Sequence, residues 1–254
     1  MGEPVIISFA NQKGGVGKTT TAINLAACLA EAGKRVLLVD LDPQGNTTSG
    51  IGGSAGAHSV YEALMGRTPL SACLQSTCVK GLSLIPADIR LAGAELELVE
   101  LERREYRLKH LLKTIEGDFD FLFVDCPPSL GLLTVNALTA AQRVLIPIQC
   151  EYYALEGVSS LMNTVNRVKH AFNPGLDIEG VLLTMLDART NLGIQVVDSV
   201  KKHFKSRVFA TAIPRNVRLG EAPSHGLPIH LYDPRSLGAD SYRRLAQEFL
   251  QRNR

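Results

Sequence analysis

The run Asn11-Gln12-Lys13-Gly14-Gly15-Val16-Gly17-Lys18-Thr19-Thr20-Thr21 concentrates the residue types that handle phosphate. Three glycines in four positions let the backbone turn successive N–H groups inward, onto a polyphosphate placed at the positive end of the helix that follows. The backbone of residues 14–20 (Gly14, Gly15, Val16, Gly17, Lys18, Thr19 and Thr20) is the expected cradle. Lys18 has the reach to meet β- and γ-phosphate oxygens, and the Thr19 hydroxyl can ligate a Mg²⁺ that bridges them. The expected ligand is a nucleoside triphosphate.

Two aspartates stand where such chemistry needs carboxylates. The apolar run 36–39 ends in Asp40-Leu41-Asp42-Pro43-Gln44-Gly45-Asn46, and the apolar run 119–124 ends in Asp125-Cys126-Pro127-Pro128. Carboxylates at the C-terminal ends of parallel strands lie on the edge where α/β sheets bind ligands. Asp125 has the placing of a Walker B acid, which holds Mg²⁺ directly or through water. Asp42 can take a proton from or orient an attacking water, or hold a metal-bound one.

These groups need a strand, a loop and a helix in that order. Residues 5–10 (Val-Ile-Ile-Ser-Phe-Ala) read as a buried strand, and residues 20–31 carry Ile23, Leu25, Ala26 and Leu29 at helical spacing. Further strands are expected at 82–86, 144–149, 178–185 and 208–213, alternating with helices at 91–115, 155–171, 194–204 and 239–251. At least seven strands alternating with helices predict a doubly wound α/β fold, mainly parallel, with right-handed crossovers and helices on both faces. The amphipathic final helix, with Tyr242, Leu245, Ala246, Phe249 and Leu250 on one side, is expected to pack on the domain rather than to anchor at a membrane.

A chain of 254 residues, 45% of them hydrophobic, can bury a large core, and no linker or repeat divides it, so residues 1–254 are expected to form one domain. No apolar run approaches the roughly 18 residues of a membrane span, and no signal-peptide pattern opens the chain. A cytoplasmic location is therefore expected. The five cysteines are scattered and odd in number, which argues against a disulfide framework. The net charge of +2 is unevenly spread. From Asp187 onward twelve basic residues face six acidic ones, an asymmetry that points to a polyanionic partner.

The glycine loop departs from the usual phosphate-loop pattern, because Gln12 stands at the first glycine position and Lys13 adds a second lysine. In this it resembles the deviant Walker A motif of the ParA/MinD family of ATPases. The likeness extends through Asp40–Asn46, through Pro214 and Asn216, and into Glu221-Ala222-Pro223-Ser224-His225-Gly226, and its wording is nearest the chromosomal, Soj-like branch. The resemblance implies ATP and Mg²⁺ as cofactors, Asp42 as the aspartate supporting hydrolysis, and Pro214 and Asn216 beside the adenine. It implies that Lys13 reaches across an ATP-dependent homodimer to the partner's phosphates. It further implies nonspecific binding of that dimer to DNA, stimulation by a ParB-like protein, and association with the nucleoid. Arg189 and Arg218 match segments with the DNA-contacting role, with Lys201, Lys202, Lys205, Arg207 and Arg243 as weaker candidates. Two relatives of the same loop offer other functions: a MinD-like membrane-positioning ATPase, and a metal-cluster carrier akin to the nitrogenase iron protein.

Overall fold

The computed structural model describes residues 3–151 and 154–253. Seven strands form one sheet: β1 (Val5–Phe9), β2 (Val36–Asp40), β3 (Gln75–Ser76), β4 (Leu82–Ile85), β5 (Phe121–Asp125), β6 (Arg143–Gln149) and β7 (Asp177–Thr184). Their order is β3-β4-β2-β5-β1-β6-β7, parallel throughout except for the short antiparallel edge β3. Apart from Ser8 and the polar residues at their ends, the four central strands are apolar, as parallel strands covered on both faces should be.

Helices cover both faces. On one, the helix Lys18–Glu31 packs beside the final helix Leu237–Arg252, over Ile7, Phe9, Leu38 and Phe123. On the other, the helices Leu91–Val99, Arg107–Leu112, Leu132–Ala140, Glu156–Ala171 and Asn191–Phe204 enclose a second core around Ile6, Leu37, Leu122 and Ile146. The final helix is part of the fold, with Tyr242, Leu245, Ala246 and Phe249 all buried. The Phe249 ring meets Phe121 and Phe123 edge-on, at centroid distances of 5.3 and 5.8 Å. Among the described residues no helix is long and apolar enough to cross a membrane.

The expected alternation is present, with three local differences. Residues 208–213 form no strand. They run beside β7, with Phe209 N–H donating to the Val181 carbonyl at 2.9 Å and Ile213 N–H to the Leu183 carbonyl at 2.8 Å, but form only an isolated bridge, Val208 to Val181. Between those two contacts the N–H groups of Ala210 and Thr211 donate to the Glu248 carboxylate, both at 2.8 Å, which interrupts the ladder. The expected helix at 91–115 is broken into two helices and a 3₁₀ turn, with Arg103 in the left-handed region at φ 51°. The edge strand β3 was not expected.

The aromatic cluster makes the final helix a keystone of one core. Phe249→Ala should cost about 3–5 kcal/mol of stability, lowering the thermal midpoint by roughly 10 °C in scanning calorimetry.

Candidate functional site

The order β2-β5-β1 sets three strand ends side by side. The register pairs Phe9 with Asp125 and Asp125 with Asp40, so both aspartates and the loop leaving β1 meet at one point of the carboxyl edge.

The glycine loop is held from behind. Asn11 donates its side-chain N–H to the Pro147 carbonyl at 2.7 Å and accepts the Lys13 N–H at 3.0 Å. The Val16 carbonyl accepts the Thr184 hydroxyl at 2.8 Å. Gly15 and Gly17 have φ of +73° and +84°, a region that glycine enters without strain. Gly17 is the N-cap of the helix beginning at Lys18, so the free N–H groups of that helix open into the loop.

Lys18 is buried and rests its ammonium on the Lys13 carbonyl, 3.3 Å away. Burial lowers its pKa, against the pull of the Asp125 carboxylate. The Thr19 hydroxyl donates to Asp125 Oδ2 at 2.6 Å, and the Thr47 hydroxyl donates to the same oxygen at 2.7 Å. Asp125 Oδ1 is buried with no hydrogen-bond partner. A buried carboxylate oxygen without a donor is unfavourable. Beside a threonine hydroxyl, it is the donor set that suits a hard divalent cation, which keeps its other positions for phosphate and water. Among the described residues no three His, Cys, Asp or Glu side chains form an all-protein metal cage.

Asp42 lies in the loop after β2, nearly buried, and its Oδ1 accepts the Gln44 N–H at 3.0 Å. It lines a cleft of about 460 Å³ with Gly14, Gly15, Gly17, Lys18, Thr19 and Thr20. An adjoining hollow of about 480 Å³ shares Gly17 and Thr20 with it and is bounded by Met185, Pro214, Asn216 and Val217. Asn216 caps the helix Val217–Glu221 by accepting the Arg218 N–H at 2.9 Å. A cleft at the glycine loop and a more apolar hollow, joined at Gly17, have the layout required by a phosphate chain carrying a base.

Lys13 stands apart from this cleft, its ammonium 3.5 Å from the Glu151 carboxylate. The basic candidates of the C-terminal quarter differ in how they are held. Arg189 is exposed and forked onto Asp187, at 2.9 and 2.8 Å. Arg218 lies between Glu221 (2.8 Å) and Asp233 (3.5 Å). Lys201, Lys202 and Lys205 are exposed at the end of the helix Asn191–Phe204. Arg207 and Arg243 are tied inward, Arg207 to the Ile178 carbonyl and Asp177, and Arg243 to Glu31 and the Pro234 carbonyl.

Sequence reasoning passed over Asp40, Thr47 and Thr48. Asp40 is fully buried beside Asp125, with Oδ1 accepting the Asp42 N–H at 3.1 Å. Its Oδ2 accepts both the Thr48 N–H (2.8 Å) and the Thr48 hydroxyl (2.7 Å). The only advance signal was two adjacent threonines following a two-aspartate strand end. Cys126, next to Asp125, is wholly buried and its thiol is pushed far up, so it is no reactive thiolate.

Residues 5–178 match the family model described as "AAA domain". The chain is 60% identical to the sporulation initiation inhibitor protein Soj of Bacillus subtilis, over 96% of this chain and 97% of that one. It is 53% identical to the chromosome partitioning protein ParA of Myxococcus xanthus, over 98% and 88%. Among solved structures it is similar to a Mycobacterium smegmatis protein named cobyrinic acid a,c-diamide synthase, with bound ATP analogue and magnesium. That similarity has a TM-score of 0.86 and 42% identity, covering 98% of this chain and 95% of that one.

Two buried acids side by side leave a pH signature. Burial, with the nearby Asp125 charge, raises the Asp40 carboxyl to about 7, and burial raises Asp125 to about 6. Both lie above the roughly 3.9 of an unfolded aspartate, so folding favours the protonated forms. That contribution is full below about pH 4 and is lost as the pH rises through 6 and 7. The ligand-free protein should therefore lose roughly 5 °C of thermal midpoint between pH 5.5 and 8. Asp125→Asn should flatten that slope in fluorimetric melts with a chelator present.

Proposed function

Because the chain belongs to the Soj/ParA family of deviant Walker A chromosome-partitioning ATPases, we propose that it binds Mg·ATP, pairs with a second copy, binds DNA without sequence preference and hydrolyses ATP when a ParB-like protein stimulates it. The observation that carries the nucleotide site is the convergence of Thr19, Asp125 and Lys18 under a glycine loop at a helix N-terminus. The solved relative that contains an ATP analogue and magnesium supports it at 42% identity.

In this reading the backbone of residues 14–20 and Lys18 hold the β- and γ-phosphates. Thr19 and Asp125 hold the cation, whose chemistry when bound is to neutralise charge building on the phosphate oxygens. Asp42 stands at the cleft wall to orient the attacking water. The base lies in the hollow beside Pro214 and Asn216. Lys13 leaves Glu151 and stabilises the transition state in the partner subunit, as an arginine finger does elsewhere. DNA is met by Arg189 and Arg218, with Lys201, Lys202 and Lys205 adding screened, sequence-independent attraction.

A membrane-positioning role of the MinD kind would need the helix Leu237–Arg252 to leave the fold, and its apolar face is buried in a core. ATP-dependent capture of the protein by anionic liposomes would favour that alternative.

A Cβ on Gly14 would meet nothing within 4 Å, so a side chain there is compatible with the folded subunit, and in this reading what it obstructs is the approaching partner. Gly14→Val should keep ADP affinity within about 3-fold and remain monomeric with ATP by light scattering, where the wild type dimerises. Lys13→Ala should bind nucleotide but hydrolyse it at least about 100-fold more slowly. For DNA, Arg189→Glu/Arg218→Glu should abolish ATP-dependent binding to random duplex. The wild-type affinity should fall with salt at a slope of roughly 0.9 per phosphate contact. Binding that ignores nucleotide and salt would overturn the DNA assignment.

A further inference from the structure

The proposed hydrolytic group, Asp42, sits in the buried turn that leads from β2 into the short helix Asn46–Gly50, and the reaction needs it held to a fraction of an ångström. What holds it is Asp40. One oxygen of that carboxylate takes the Asp42 N–H, and the other takes both the N–H and the hydroxyl of Thr48. The two ends of the loop, six residues apart, are thus closed on a single side chain. Thr48 is anchored in turn, its hydroxyl oxygen accepting the Ala87 N–H at 2.9 Å from the exit of β4. The loop's turn is tight against the same segment. Gly45, at φ +63°, lies so close that an added Cβ would meet the Ala87 carbonyl at 3.3 Å.

The neighbouring residue repeats the arrangement on the next strand. Thr47 donates to Asp125, the carboxylate that also takes Thr19. Consecutive threonines therefore fasten the loop to consecutive strand ends, Thr48 to β2 and Thr47 to β5. Asp40 is entirely buried and is not among the residues lining the cleft, so it cannot touch substrate.

We propose that Asp40 and Thr48 are positioning residues for ATP hydrolysis: together they clamp the 42–48 segment, the turn and the start of the helix Asn46–Gly50, so that Asp42 faces the cleft and Thr47 stays on the cation-holding carboxylate. This rests on the function proposed above, with Asp42 as the water-orienting acid. Displacing such a group by about 1 Å is enough to cost on the order of 100-fold in rate while leaving ground-state binding intact. The clamp therefore acts on kcat rather than on affinity.

The test uses the full chain with Asp40→Asn, Thr48→Val, the double variant, Thr48→Ser and Asp42→Asn. Binding of a fluorescent ADP analogue with Mg²⁺ and single-turnover ATP hydrolysis are measured on each. Asp40→Asn turns one acceptor into a donor facing donors, and Thr48→Val removes the hydroxyl without changing shape. Each should keep ADP affinity within about 3-fold and lose roughly 30-fold in hydrolysis. The double variant should be no slower than the worse single one, because both open the same clamp. Thr48→Ser, which keeps the hydroxyl, should hydrolyse at the wild-type rate. Asp40→Asn within 3-fold of the wild-type rate, losses that multiply in the double variant, or affinity falling in step with rate would overturn the clamp. Should Asp40→Asn not fold, the contrast between Thr48→Val and Thr48→Ser decides alone. Asp42→Asn hydrolysing normally would overturn the parent reading, whereas an inactive Asp42→Asn beside an active Asp40→Asn would overturn only the inference.

Discussion

Everything at this site depends on one uncomfortable placement, two carboxylates fully buried on adjacent strand ends, Asp40 on β2 and Asp125 on β5. Like charges in a low-dielectric interior repel and are poorly solvated, and both effects favour the protonated forms. The surrounding segments are arranged in answer to that cost. Thr19 comes from the first turn of the helix after the phosphate loop, Thr47 and Thr48 from the short helix Asn46–Gly50 after β2, and each donates a hydroxyl to one of the two acids. Lys18 is brought within electrostatic range of Asp125 at the expense of its own solvation. The loops are ordered around the acids, which gives a short polar stretch of chain enough partners to stay in one place.

That arrangement also explains how much was legible in the sequence. The phosphate loop is local, so strand, glycines, lysine and threonine appear in reading order, and the parallel sheet follows from continuous apolar runs that need cover on both faces. Asp42 and Asp125 were legible because strand ends in such a sheet converge. Thr47 was not, since its partner is 78 positions away and becomes a neighbour only through the order β2-β5-β1. Asp40 was hidden by Asp42, because strand alternation does not say which of two nearby aspartates faces the cleft. Residues 208–213 have the composition of a strand, and the Glu248 carboxylate takes the Thr211 N–H that would lie between the Phe209 and Ile213 bonds to β7.

Charge counting is informative about the C-terminal quarter only after the pairs are drawn. Arg207, Arg243 and Arg252 each donate to a backbone carbonyl and to a carboxylate, so they fasten one element to another. Subtracting such residues leaves an exposed lysine cluster and several arginines, Arg189 and Arg218 among them, paired with surface acids. Pairs that exposed are weak and screened by salt, so a phosphate backbone competes for them at little cost. The surplus that remains suits an encounter with a polyanion better than it suits a rigid, base-reading contact.

In the proposed reading, a single subunit contains nearly all of a phosphate-transfer site and lacks one element. Lys18, Thr19, Asp125 and Asp42 meet around one cleft, whereas the second lysine of the loop points away from it, toward Glu151. A cation that merely stabilised the loop would have a fixed buried partner, and Lys13 has a half-exposed one at 3.5 Å, an interaction worth about 1 kcal/mol at most. Gly14, beside it, opens onto empty space where a side chain would fit. An uncovered glycine next to a loosely held lysine, at the mouth of an otherwise complete cleft, is the surface expected if the missing charge comes from a second copy. Separating the charge from the rest of the machinery in this way would keep the isolated subunit slow and let assembly set the rate.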